Sequence, residues 1–396
     1  MSETEHSRSL HGRPAVLQII PRLDAGGAER TTIDIVRALT EAGCRALVAS
    51  EGGRLERELS AAGGTLIRIP VASKNPATMI ANIGRLVKII REENVALVHA
   101  RSRAPAWSAL CATRMAGAPF VTTYHGIYTG GSRLKRAYNS VMVRADAVIA
   151  NSHATADHIR KAYGFVPKRL AVIHRGLDLG EFDPAGVPPA RVASLRGSWG
   201  ANDATRLVLL PGRLTRWKGH LVLIEAVARL HRAGRLPADI RVVFAGDAQG
   251  RQAYADELRA AISRAGLNGV FVFAGHIDDM APAYLAADAV VSASTEPEAF
   301  GRVAIEAGAM ERPVIATDHG GTRETVLAGV SGLVVPPDDA AALAEALAAL
   351  FAMPWERLAE MGAQGRIHVA AHFSVARMCA DTLALYAELI AARPKP

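Results

Sequence analysis

Short apolar, β-branched runs alternate with longer amphipathic stretches through most of the chain. Strand-like runs lie at Ala15–Ile20, Ala46–Ala49, Leu66–Ile69, Leu97–His99, Phe120–Thr123, Ala147–Ala150 and Leu170–Ile173. Between them, Ala28–Glu41, Ala77–Glu92 and Ala106–Ala116 repeat their apolar residues at helical spacing. Strands that are apolar at every position, separated by helices, predict a parallel sheet covered on both faces. A second series follows at Leu207–Leu210, Arg241–Phe244, Val270–Phe273, Ala289–Val291, Val314–Ala316 and Leu333–Val335. Its helices are expected at His220–Arg232, Tyr254–Arg264, Val303–Met310 and Asp339–Leu350. The fold class is therefore α/β, with two Rossmann-like, doubly wound parallel-sheet units in tandem.

The rhythm breaks at residues 176–200, rich in glycine and proline and without a strand-like run, which read as a linker. This predicts a first domain over 13–180 and a second over 181–372. Residues 373–396 form a C-terminal helix expected to cross back to the first domain. Ligands of open α/β sheets bind beyond the carboxyl ends of the strands. Two such units facing a central cleft would carry their site in strand-to-helix loops.

Composition narrows the class. Half of the residues are apolar and 21% charged, too apolar for a disordered chain. Cys44, Cys111 and Cys379 are odd in number and widely spaced, which excludes a disulfide framework and suits a reducing compartment. The first residues lack a signal-type apolar stretch, and no run reaches the length of a membrane span. A cytoplasmic protein is expected. Charge is uneven: residues 13–180 carry 24 bases against 12 acids, and residues 181–396 carry 21 against 24. A basic first half points to an anionic partner, or only to a solvated arginine-rich surface.

Candidate chemistry follows the strands. After the first, Gly26 and Gly27 open a helix whose free N–H groups suit an anion, although paired glycines also serve plain tight turns. Neither GxGxxG nor a P-loop is present there. The first strand of the second series ends in Pro211-Gly212-Arg213-Leu214-Thr215-Arg216-Trp217-Lys218-Gly219, where Arg213 and Lys218 could neutralise phosphates. The sharpest signal is Ser294-Thr295-Glu296-Pro297-Glu298-Ala299-Phe300-Gly301-Arg302-Val303-Ala304-Ile305-Glu306. Glu298 precedes a helix and Glu306 lies on it, with backbone N–H groups near Phe300 and Gly301 at its start. Asp278-Asp279 reads as a helix cap and not as part of a metal site. HVAAH at 368–372 lacks the glutamate of HExxH, so no metal is expected.

Gly26-Gly27, Gly212-Arg213 with Lys218-Gly219, Gly246-Asp247, and Glu298 through Glu306 together resemble the retaining glycosyltransferases of family 4, with the GT-B fold. The resemblance runs from about residue 14 to 390. Asn151-Ser152 and Arg175-Gly176-Leu177-Asp178 fit the same pattern, but Arg175 stands where asparagine is common, and Ala299 where glycine is common. It implies transfer of a hexose-type sugar from a nucleotide-sugar to a glycan or glycolipid hydroxyl, in lipopolysaccharide or cell-surface polysaccharide synthesis. By the same resemblance Arg213 and Lys218 serve the diphosphate beside Gly26 and Gly27. Glu306 takes the ribose, Glu298 the donor sugar, and His125, in Tyr124-His125-Gly126, acts in catalysis. Gly246, Asp247, His276, Ile277, Phe300 and Gly301 complete the donor site, the base lying by His276 and Ile277. No cofactor or metal is implied, the nucleotide-sugar being a substrate.

Two rivals remain at this stage. One is another GT-B enzyme, a nucleotide-sugar epimerase or a glycogen-synthase-like polymerase. The other is a non-catalytic protein binding anions or nucleic acid, but with 5% aromatic residues no basic stretch has the stacking side chains nucleic acid needs. No nucleic-acid partner is therefore expected. Arg133, Lys135, Arg136 and Arg144 around Leu134, Tyr138, Val141 and Met142 suggest peripheral contact with an anionic membrane.

Overall fold

The computed structural model describes residues 13–24, 26–127, 132–163 and 167–392. The expectation about a leader falls on residues outside that set. All thirteen strand-like runs form strands. The first seven are β1 (Ala15–Ile19), β2 (Arg45–Ser50), β3 (Thr65–Arg68), β4 (Val95–Ala100), β5 (Phe120–Tyr124), β6 (Ala147–Ala150) and β7 (Leu170–Val172). They form a parallel sheet in the order β3-β2-β1-β4-β5-β6-β7. The second six are β8 (Arg206–Pro211), β9 (Ile240–Ala245), β10 (Phe271–Gly275), β11 (Ala289–Ser292), β12 (Val314–Thr317) and β13 (Gly332–Val335). Their order is β10-β9-β8-β11-β12-β13, again parallel. Each sheet reverses its winding once, between β1 and β4 and between β8 and β11. Loops leaving those four strands occupy the place where such sheets bind ligands.

Two compact units result. One holds residues 1–176 and 375–396, the other 177–374, against the expected changeovers at 180/181 and 372/373. In the first, the helix Val375–Ala391 packs on the helix Gly27–Glu41 and on β4, burying Met378, Cys379, Leu385 and Tyr386. The other tail helix, Trp355–His372, belongs to the second unit. It lies on the helix Arg302–Ala309, where a Cβ on Gly308 would meet Val369 at 3.0 Å and the Gly365 carbonyl at 3.3 Å.

The segment read as a linker is part of the second unit. It contains the helix Pro189–Ser198, and Leu177, Phe182 and Trp199 are buried in that unit's core. Prolines at a helix start fit, because the N–H they lack has no partner there anyway. None of the helix's own residues is fully buried, and Val192 and Leu195, which pack on the core, are too short a pattern to announce it.

His220 opens the helix His220–Arg232 of the second unit, wholly buried and edge-on to Phe244 at 4.9 Å between ring centroids. Burial, with a smaller contribution from the Lys218 charge, brings its imidazole down to about 4. An unfolded chain has a histidine near 6.5, so it binds the extra proton between pH 6.5 and 4. Stability from this group is complete above pH 6.5 and lost as pH falls through that window, by about 3 kcal/mol in total. Denaturant unfolding at pH 7.5 and pH 4.5 should show this difference shrinking in His220→Gln. An equal pH dependence in both proteins would assign it elsewhere.

Candidate active site

In the second unit the site grows from the two strands flanking the winding reversal. The loop after β8 begins at Gly212 (φ 146°) and is pinned to the end of β9. The Gly212 N–H donates to the Ala245 carbonyl (2.8 Å) and the Leu214 N–H to the Asp247 carbonyl (2.9 Å). A Cβ on Gly246 would lie 2.0 Å from the Gly212 carbonyl, so only glycine permits this backbone contact. Beyond Gly212, Arg213 is exposed and its guanidinium has no hydrogen-bond or ion-pair partner among the described residues. Lys218 turns back instead, its stem along Gly212 and its ammonium 4.4 Å from the centre of the Trp217 ring.

The Lys218 ammonium donates to Glu298 Oε1 at 2.7 Å, both side chains being mostly buried. The Ser294 hydroxyl donates to the same oxygen. The loops carrying them are also tied by the Thr295 N–H to the Trp217 carbonyl (2.7 Å). Oppositely charged groups from loops 80 residues apart thus meet beyond the reversal point.

Glu306 faces a different set of partners on the helix Arg302–Ala309. The Tyr284 hydroxyl donates to its Oε2 (2.7 Å) and the Arg302 Nε to its Oε1 (2.9 Å). Burial, together with the charge of Glu306, holds the Tyr284 phenol well above its ordinary range. Phe300 is buried edge-on to Phe373 (5.5 Å), so its side chain anchors the loop in the core. Gly301 (φ 91°) caps the helix without a side-chain acceptor, leaving that end to backbone N–H groups. His276 is exposed and pairs with Asp278, Ile277 packs on the core, and the Asp279 carboxylate caps the helix Met280–Ala286 as expected.

Sequence reasoning missed the support behind Glu298. After β12, Gly320 and Gly321 press on it: added Cβ atoms would lie 2.1 Å from the Glu298 carbonyl and 2.3 Å from the Phe300 carbonyl. The Gly321 N–H donates to the Glu298 carbonyl (3.0 Å), and a ring nitrogen of His319 lies 2.7 Å from the Ser294 carbonyl. The paired glycines after a strand were the available signal.

In the first unit, Gly26 and Gly27 begin the helix Gly27–Glu41, with no side-chain cap. His125 follows β5 directly. Both of its ring nitrogens are buried without a hydrogen-bond partner, and its carbonyl accepts from the Asn151 amide (3.4 Å). Burial, then Arg175 and Arg101, push its imidazole well below the usual range, so it is neutral at pH 7. Arg101, which sequence reasoning also missed, follows β4 and is buried, donating twice to the Gln18 side-chain oxygen (2.7 and 2.6 Å). Gln18 in β1, an inward polar residue in an apolar strand, was its signal. A separate cavity of about 470 Å³, lined by Phe120, Arg144, Asp146 and Lys168, lies at the amino ends of β5–β7, away from these residues.

Comparison with known proteins decides the family. The description "Glycosyltransferase Family 4" matches residues 25–181, and "Glycosyl transferases group 1" matches residues 192–368. A glycosyltransferase from Rickettsia africae ESF-5 is 33% identical, with a TM-score of 0.87 over 96% of this chain and 100% of that one. The chain belongs to the glycosyltransferases of this family. Its two Rossmann-like units are those of a GT-B glycosyltransferase. The Anabaena protein HepE, solved with UDP-glucose, is 27% identical, with a TM-score of 0.77 over 94% of this glycosyltransferase and 99% of that chain. A curated relative, the D-inositol 3-phosphate glycosyltransferase of Xylanimonas cellulosilytica, is 33% identical over 64% of this chain. That match spans 60% of the relative's length, less than two thirds. Among the described residues, no helix is long and apolar enough to cross a membrane.

Proposed function

We propose that this glycosyltransferase is retaining and moves a hexose-type sugar from a nucleotide-sugar donor to a hydroxyl of a glycan or lipid-linked acceptor. The observation that carries this reading is the Lys218–Glu298 pair at the switch point of the second sheet. It sets a phosphate-neutralising cation beside a carboxylate able to take sugar hydroxyls. Arg213 and Lys218 stabilise the departing diphosphate. In the first unit, the N–H groups at Gly26 and Gly27 are offered to a phosphate. Glu298 and the backbone at Phe300 and Gly301 hold the sugar, Glu306 the ribose, and Gly246, Asp247, His276 and Ile277 the rest of the nucleotide. As the bond from the anomeric carbon to the diphosphate oxygen breaks, its electron pair leaves with the phosphate. The acceptor oxygen then bonds to the same face of the sugar, and its proton passes to the departing phosphate oxygen. Neutral His125 orients a reacting hydroxyl through its ring nitrogens. No metal is needed in this scheme.

For the acceptor we infer a lipid-linked or cell-surface glycan, assembled on the cytoplasmic side. The inositol 3-phosphate named for the curated relatives supports a second reading, a phosphorylated polyol. The membrane-facing patch is smaller than the sequence suggested. Val141 and Met142 are core residues, which leaves exposed Leu134 among Arg133, Lys135 and Arg136. One experiment covers these choices. UDP, GDP, ADP and their sugars are screened by thermal shift with and without EDTA. The stabilising donor is then turned over with a soluble inositol phosphate, or with glycolipid in anionic or neutral vesicles. We expect one nucleotide class to stabilise equally with EDTA, and faster transfer on anionic vesicles. Equal response to all nucleotides, or free isomerised sugar as product, would refute the reading.

A further inference from the structure

A line of hydrogen bonds crosses the core of the first unit, from the last helix to the end of β5. The Tyr386 hydroxyl, on the helix Val375–Ala391, lies 2.5 Å from Nδ1 of His99 in β4. The other ring nitrogen of His99, Nε2, lies 2.7 Å from the Thr123 hydroxyl in β5. Tyr386 and His99 are wholly buried, and Thr123 is nearly so. Thr123 also lines a small cavity with His125 and Asn151, which Tyr386 does not reach. Asn151 is 1% exposed, and among the described residues its Oδ1 has no partner, like both ring nitrogens of His125.

Two directions are open to this line, and they differ in cost. Burial, then the charges of Arg101 and His125, push the His99 imidazole well below its usual range, so one ring nitrogen donates and the other accepts. Burial also pushes the Tyr386 phenol up, so it keeps its proton. In one arrangement Tyr386 donates to Nδ1, Nε2–H donates to Thr123, and the Thr123 proton is left over. In the other Thr123 donates to Nε2, Nδ1–H donates to Tyr386, and the phenol proton is left over. Neither hydroxyl has a second acceptor within hydrogen-bond reach among the described residues. On Tyr386 the spare proton would be sealed in the core, beside the buried Arg101 guanidinium that acts on the phenol. On Thr123 it has the cavity before it, where a ligand oxygen can accept it. A buried donor without an acceptor is costly, so the first arrangement wins. The cavity, about 20 Å³, has room for one hydroxyl-sized group. A hydroxyl there accepts from Thr123 and donates to Asn151 Oδ1 or to a ring nitrogen of His125.

We propose that Tyr386 and His99 are positioning residues: they turn the Thr123 hydroxyl into this cavity, where Thr123, Asn151 and His125 together hold one hydroxyl of a bound sugar or acceptor. The inference rests on the proposed role of His125 only for that hydroxyl belonging to a substrate. The direction of the line stands without it. The last helix, besides packing on the first unit, thereby delivers a side chain that acts on the site through two others.

Spectra of the full-length protein labelled with 15N-histidine read the direction. His99, assigned through His99→Gln, should carry its proton on Nε2 at pH 7. In Tyr386→Phe, Nδ1 loses its donor, Thr123 can turn back on the ring, and the preference for Nε2 should be lost. Initial rates with the nucleotide-sugar found by thermal shift read the consequence. Tyr386→Phe and Thr123→Val should each lower kcat about five- to tenfold with donor KM within about twofold, and Thr123→Ser should restore most of the rate. Because Tyr386 acts through Thr123, the double variant should be no slower than Thr123→Val alone, whereas two merely structural losses would multiply. A proton on Nδ1 of His99 in the wild type, or losses that multiply, would overturn the proposal. The two readings fail separately. A wild-type rate in His125→Ala with a slow Thr123→Val would sink the role of His125 and keep the line. Wild-type rates in Thr123→Val and Tyr386→Phe with an inactive His125→Ala would do the reverse.

Discussion

Glu298→Gln is expected to cut the rate of sugar transfer about ten- to a hundredfold while nucleoside diphosphate affinity holds or rises severalfold. The sign follows from what Glu298 touches. Its Oε1 receives both the Lys218 ammonium and the Ser294 hydroxyl, so before any donor binds the carboxylate is the counter-ion of Lys218. Glutamine keeps the shape and removes the charge. Lys218 is then left mostly buried and unbalanced, and a bound diphosphate becomes its only neutraliser. On the proposed reading, the donor sugar meanwhile loses charge-assisted hydrogen bonds that strengthen as the reaction proceeds. Glu306→Gln should behave differently. Both oxygens of Glu306 are acceptors, for Tyr284 and Arg302, and an amide cannot accept on both sides. Where the Tyr284 hydroxyl is the donor left without a partner, the cost is about 1–3 kcal/mol, and on the proposed reading the ribose contact weakens with it. Nucleoside diphosphate and nucleotide-sugar should therefore bind more weakly alike. Calorimetry with nucleoside diphosphate, paired with initial rates, separates the two. Loss of diphosphate binding in Glu298→Gln but not in Glu306→Gln would reverse the assignment.

Gly219→Ala should be the most destabilising small change in the second unit, by about 3 kcal/mol or more. Gly219 joins the Lys218 turn to the helix His220–Arg232 with φ 74° and ψ 23°, a left-handed conformation. The conformation alone costs a non-glycine residue roughly 1–3 kcal/mol. A Cβ there would also fall 1.8 Å from the Ala293 carbonyl, which is backbone at the end of β11 and cannot swing aside. Relief requires the β8 and β11 loops to part, which draws Lys218 away from Glu298. For a unit of this size, such a loss lowers the melting temperature by roughly 6–12 °C. Gly234→Ala is the control, with a similar φ of 65° and nothing within 4 Å of its added Cβ. If the two variants melt within about 2 °C of each other, the close approach to Ala293 is not what demands glycine at 219.

The strands, the doubly wound class and the order of the motifs were all determined along the chain. A parallel strand covered on both faces must be apolar at every position, so runs such as Leu207–Leu210 carry their own signature. The Glu298–Glu306 spacing was legible because both residues belong to one loop and the helix it enters. What the chain could not show is what depends on partners distant in sequence. Lys218 meets Glu298 only because β8 and β11 are neighbours in the sheet. Arg101 meets Gln18 through the pairing of β4 with β1, and His99 meets Tyr386, 287 residues on, because the last helix returns to the first unit. The segment around Pro189–Ser198 was misread for a related reason. A helix that sets little more than Val192 and Leu195 against the core leaves a faint periodic trace, and the finished unit reveals what it lies on. Local patterning specifies which elements form, because it reflects burial of each element's own face. Charge pairing and close backbone approach at the site are decided by sheet order, which no single segment encodes.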